Sequence, residues 1–185
     1  MLVWAGCGDS AVRTYRIAPY LEPGTGVCGE CSIGLTLFAL EEGADPPSAL
    51  RLYASEFERG GFTFRWGVEQ VVEIGEHRYD TGDVQDSPGV RYSFRSHLSS
   101  HPVEPGSRFE MKFRDAPPGN YPYDFLVRTG DVIRIGKRVD VACDSPELCD
   151  QLAARELGVE GFALELSYPA SEGGPLQLHS IRALP

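Results

Sequence analysis

The first half of residues 56–74 carries a run of aromatic side chains, two residues apart from Phe62 to Trp66. Phe62, Phe64 and Trp66 follow Phe57, with charged or small residues between them. Side chains of an extended strand point to opposite faces with period two, so this spacing buries an aromatic row and leaves Glu and Arg in water. Gly60-Gly61 and Gly67 interrupt the row where a strand bends, bulges or lets another backbone approach closely. The stretch predicts two strands joined at a glycine corner and carrying the largest aromatic cluster of the chain.

Short alternating runs recur elsewhere. The 21 glycines and 14 prolines are spread along the 185 residues rather than pooled in one linker. That distribution favours many short strands and turns over long helices. Further strands are expected at 12–17, 33–40, 49–54, 90–95, 108–113, 124–127, 132–141, 162–168 and 176–183, with Ala18-Pro19 ending the first. One helix is expected over 145–157: Asp144 or Ser145 caps it, Pro146 fits its first position, and Leu148, Leu152 and Leu157 share a side. The fold class that follows is all-β and antiparallel, a β-sandwich or small β-barrel pair of about ten strands with one short helix in the C-terminal half. An oligonucleotide/oligosaccharide-binding-type barrel fits the last third. The breaker cluster at 116–122 separates residues 11–115 from 116–185, as two β subdomains or as one continuous domain.

A net charge of −10 argues against a nucleic-acid partner, because phosphate binding needs a surplus of lysine and arginine. No apolar run approaches the roughly 20 residues that span a bilayer. The start of the chain, with Ala-Gly-Cys7, resembles the bacterial lipobox, in which small residues precede a cysteine that becomes lipidated. Trp4 stands where that motif usually has leucine, and a basic n-region with a full h-region is missing. The expectation is that residues 1–10 are a signal-peptide remnant and lipid-anchor tether, with Cys7 as the lipidation site and the anchor as the only membrane contact.

Removing Cys7 from the five cysteines leaves Cys28, Cys31, Cys143 and Cys149, an even set in two close pairs. Four cysteines allow three pairings, and the local one, Cys28 with Cys31 and Cys143 with Cys149, is preferred. A zinc knuckle is disfavoured because five residues separate Cys143 from Cys149 and no histidine lies near either pair.

Gly61-Phe62-Thr63-Phe64-Arg65-Trp66-Gly67-Val68-Glu69, followed by a hydrophobic strand, resembles the signature of a bacterial family known as domain of unknown function 4377. The resemblance covers residues 12–95. It implies a lipoprotein or envelope protein, and it supplies no activity and no site residue. Cys28 and Cys31 stand closer together than the cysteine pair of that family.

Candidate chemistry is sparse. His97 and His101 have the spacing of two metal ligands on a helix face, but Pro102 and the intervening serines favour a loop. Asp80, Asp83 and Asp86 place three carboxylates in a glycine-containing loop without the spacing of an EF-hand. No Gly-x-Ser-x-Gly elbow and no phosphate-cradling glycine loop is present. Tyr121, Tyr123 and Phe125 form an aromatic patch for a peptide or glycan, or fold over the core. The functional expectation is a non-enzymatic envelope lipoprotein, periplasmic or at the cell surface, that binds a protein or an envelope polymer and needs no cofactor. The alternative is an enzyme or metal-binding protein with a site near His97, His101 and Asp83.

Overall fold

The alternating runs resolve into eleven strands and two short helices among the residues described in the computed structural model, 10–25, 33–45, 48–78, 89–114, 121–169, 171 and 173–185. Cys7, Cys28, Cys31, Asp80, Asp83 and Asp86 lie outside them. The first sheet contains β1 (Ser10–Gly24), β2 (Gly34–Glu41), β3 (Ala49–Tyr53), β4 (Val68–Arg78) and β5 (Val90–Pro102), in the spatial order β3-β2-β1-β4-β5 with antiparallel neighbours throughout. The second contains β6 (Arg108–Phe113), β7 (Leu126–Thr129), β8 (Val132–Ile135), β9 (Val139–Cys143), β10 (Phe162–Ser167) and β11 (Leu176–Ala183), in the order β6-β10-β11-β9-β8-β7. The two sheets form a sandwich, as the residue pattern predicts. One pair departs from the antiparallel expectation: β11 runs parallel to β9. Parallel neighbours need a long crossover, and the chain between them carries a helix, α2 (Pro146–Ala153), and β10.

Both sheets contribute to one buried cluster. Tyr15, Ile17, Leu37, Val72 and Ile74 come from the first, and Met111, Phe113, Ile133, Val141, Leu164 and Leu178 from the second. β6 precedes the breaker cluster at 116–122 yet pairs with β10 beyond it, so chain on both sides of that cluster builds one sheet. Tyr121 and Phe125 pack on Phe113 from the loop that follows, while Tyr123 is fully exposed.

Several elements differ from expectation. Pro19 does not end the first strand: β1 continues to Gly24, and the register of its pairing with β2 shifts between Ile17 and Leu21. A proline fits a strand where pairing is locally released, and that shift provides the place. Residues 54–59 form a helix, α1 (Ala54–Arg59), rather than strand, with Ala54 and Phe57 buried on one side and Glu56 paired with Arg59 one turn on. Residues 62–65 join no ladder, and the chain turns at Trp66-Gly67 before β4 begins. The aromatic row packs as two groups: Phe57, Phe62 and Phe94 meet edge to face or tilted, while Phe64 packs on Trp66, which reaches Phe109, stacked on Tyr168. α2 is shorter than the expected 145–157. Ser145 caps it as expected, accepting from the Leu148 N–H, but the last turn tightens at Ala154 and Arg155. Just beyond, the Arg155 guanidinium lies 5.5 Å over the Phe162 ring.

Candidate functional site

On the outer face of the second sheet, three polar side chains from three segments form a hydrogen-bonded chain. Cys143 ends β9 and is disulfide-bonded to Cys149 of α2, as the local pairing predicts. The six-residue closure holds Asp144 just past the end of β9, where its N–H donates to the Leu178 carbonyl. Ser167 ends β10 and pairs across the sheet with Arg108 of β6 on one side and Gln177 of β11 on the other. His179 sits at a register shift in the β10–β11 pair, which adds one residue to β11 and leans the imidazole toward Ser167. The result is Asp144 Oδ2 at 2.8 Å from His179 Nδ1 and His179 Nε2 at 2.9 Å from Ser167 Oγ. Gln177 Nε2 donates to the other Asp144 oxygen at 2.8 Å.

Hydrogen bonds from His179 and then Gln177 hold the Asp144 carboxyl below its usual range. Nearby, Arg108 and Ser180 both reach Glu165, at 2.7 and 2.9 Å, and lower its carboxyl likewise, Arg108 contributing more. Arg108, Glu110, Glu165 and Arg182 line an open groove of about 430 Å3 beside this chain.

The polarity of Asp144–His179–Ser167 is that of a serine nucleophile with its base and orienting carboxylate. Access argues the other way. Ser167 is only 6% exposed on a flat sheet face, whereas a reacting carbonyl carbon must come within about 3–3.5 Å of the hydroxyl. As built, the chain is a strut that ties the β9–α2 junction to the end of β10.

The sequence does not reveal this cluster, because its members are 12 and 35 residues apart and no local spacing joins them. Ser167 and Gln177 fall on two expected strands, 162–168 and 176–183; the register shift that brings His179 over is not visible in composition or spacing.

His97 and His101 are placed but do not converge. They lie on β5 rather than in a loop, both exposed. His97 pairs with Val72 and Ser99 with Val71, so Leu98 is an extra residue that reverses the alternation. His97 therefore bonds Ser100 on one face of the strand, at 2.8 Å, and His101 bonds Ser99 on the other, at 3.1 Å. Among the described residues, no group of three or more His, Cys, Asp or Glu side chains is placed to hold a metal ion. No helix among them is long and apolar enough to cross a membrane.

A second polar cluster lies on the outer face of the first sheet. His77 of β4 and Arg91, Ser93 and Arg95 of β5 line an open groove of about 700 Å3. Arg95 Nη2 lies 2.6 Å from His77 Nε2, with Ser93 Oγ at 3.4 Å from the same nitrogen. Comparison of the chain with protein-family models, with curated proteins and with solved structures gives no match.

Proposed function

We propose that the chain is a non-enzymatic β-sandwich of the bacterial cell envelope, tethered by lipid at Cys7, that binds a protein or an envelope polymer. The observation that carries this reading is the Cys143–Cys149 disulfide, which belongs to an oxidising compartment such as the periplasm or cell surface. The Ala-Gly-Cys7 start and the Gly61–Glu69 resemblance to an envelope family lend it support from the sequence. Intact mass with a free-thiol count, on protein expressed from its full gene in a Gram-negative host, tests it. A lipid adduct on Cys7 and no free thiol at Cys143 or Cys149 is the expected result. Free thiols at both positions and no lipid would overturn the compartment.

A second reading, an acyl-transfer enzyme with Ser167 as nucleophile, is favoured only by the Asp144–His179–Ser167 distances. A fluorophosphonate probe separates the two. The binding reading expects no adduct on the folded protein, and an adduct lost in Ser167→Ala would replace it with the enzyme.

A further inference from the structure

Most arginines on the described surface are matched by carboxylates. Arg13 reaches Glu41, Arg51 reaches Glu22, Arg134 reaches Asp140 and Arg182 reaches Glu110. Arg91 and Arg95 are both exposed, and among the described residues neither has a carboxylate partner. In a chain of net charge −10, they leave a local basic groove with His77 and Ser93.

The groove is built into the sheet. In the β4–β5 ladder Glu73 pairs with Ser96 and Ile74 with Phe94, so Arg95 is an extra residue released from the alternation. Its side chain lies across Gly75. A β-carbon there would stand 2.6 Å from Arg95 Nε and 3.0 Å from Ser93 Oγ, so only glycine lets the guanidinium rest on the sheet. Arg95 Nη2 donates toward His77 Nε2 at 2.6 Å, which fixes the guanidinium against the ring. The remaining N–H groups of the Arg95 fork, the Arg91 guanidinium and the Ser93 hydroxyl form a donor array suited to a tetrahedral oxyanion. Glu73, a carboxylate further along β4, is engaged by Ser96 at 2.6 Å.

The groove also lies where the chain joins the fold, since Ser10 at the start of β1 pairs with His77. We propose that the Arg91–Arg95–His77 groove binds the phosphate of anionic lipid headgroups and seats the domain on the membrane beside its tether. The orientation rests on the envelope-anchored reading above; the phosphate chemistry does not. At physiological salt, screening over about 8 Å damps repulsion from carboxylates farther than that from the groove, while direct contact in the groove persists.

The test uses the full chain with Cys7→Ser, so that no acyl group contributes, and vesicles of phosphatidylglycerol or of phosphatidylcholine at physiological salt. Co-sedimentation is expected with the first and not with the second. Arg91→Gln with Arg95→Gln should weaken it roughly 20–30-fold, two basic residues at an anionic surface contributing about fivefold each. The charge-matched pair Arg134→Gln with Arg182→Gln, on the other sheet, should leave it within about threefold, since distant charges act only through the screened field. Gly75→Ala, with unchanged net charge, should weaken binding by displacing Arg95; circular dichroism checks that each variant is folded. Equal binding by wild type and the Arg91/Arg95 variant overturns the proposal. Displacement from vesicles by millimolar inorganic phosphate at constant ionic strength overturns the lipid assignment in favour of the free ion. Lipidation of Cys7 is read by intact mass, so loss of the anchor reading and loss of the groove reading are distinguishable.

Discussion

Tyr15 shows how a single hydroxyl can hold a charge inside this sandwich. It is 1% exposed, and its O–H donates to Glu76 Oε1 at 2.7 Å, while Arg13 Nε stands 3.6 Å from the other oxygen. Burial, and then the bond to Glu76, pushes the phenol well above its ordinary range. Tyr15→Phe keeps the ring and removes the donor, leaving a buried carboxylate short of a partner. Chemical denaturation should show a loss of about 1–3 kcal/mol, and no measurable loss for Tyr123→Phe, whose ring is fully exposed. Asp144 gives a pH-dependent counterpart. Its carboxyl is depressed by His179 and Gln177, so its contribution is present above the ordinary carboxylate range and is lost as pH falls through the depressed value. The denaturation midpoint of wild type should exceed that of Asp144→Asn at about pH 6, and the difference should close toward about pH 2 as the wild-type carboxyl protonates. Neither cluster was legible in the sequence. Arg13, Tyr15 and Glu76 lie on two strands whose register no local pattern reveals, and Asp144, Ser167 and His179 are related only through a sheet.

At the scale of elements, the sequence was most informative where alternation was unbroken. β6, β10 and β11 stand close to where period two places them, and Ser145-Pro146 marked the start of α2 correctly. It misled where tertiary contacts override local signals. Pro19 is absorbed at a register shift, Leu98 turns the two histidines of β5 to opposite faces, and α1 is stabilised by burying Ala54 and Phe57. Gly67 was read as a corner, and the structure supplies two reasons for it. Its φ is +71°, and an added β-carbon would stand 3.3 Å from the Tyr168 ring. Gly67→Ala should cost at least about 1–2 kcal/mol from the left-handed backbone alone, measurable as a lower denaturation midpoint. The Cys143–Cys149 bridge closes a short loop, and replacing both cysteines with alanine should cost about 2 kcal/mol on chain-entropy grounds. Because that loop positions Asp144, adding Asp144→Asn to the cysteine-free variant should no longer change the pH dependence of its denaturation midpoint.

Across the whole molecule, one buried cluster draws on both sheets, and the β6–β10 pairing spans the boundary suggested by the breaker at 116–122. Far-UV circular dichroism and tryptophan fluorescence should therefore report one coincident unfolding transition, whereas two independent subdomains would separate the curves. The many pairings between distant parts of the chain, such as Tyr15 with Val72 and Phe113 with Phe162, place folding in the range of milliseconds to seconds. The position of the two outermost strands in sequence has a mechanical meaning. β1 lies between β2 and β4, and β11 lies between β10 and β9, so both are interior strands of their sheets. A force applied ahead of Ser10 or beyond Ala183, when directed along the strand, meets hydrogen bonds that run across the line of pull and are loaded together. Such a joint fails in shear rather than by peeling, so drag on a partner held at one end would be resisted by an entire strand at once.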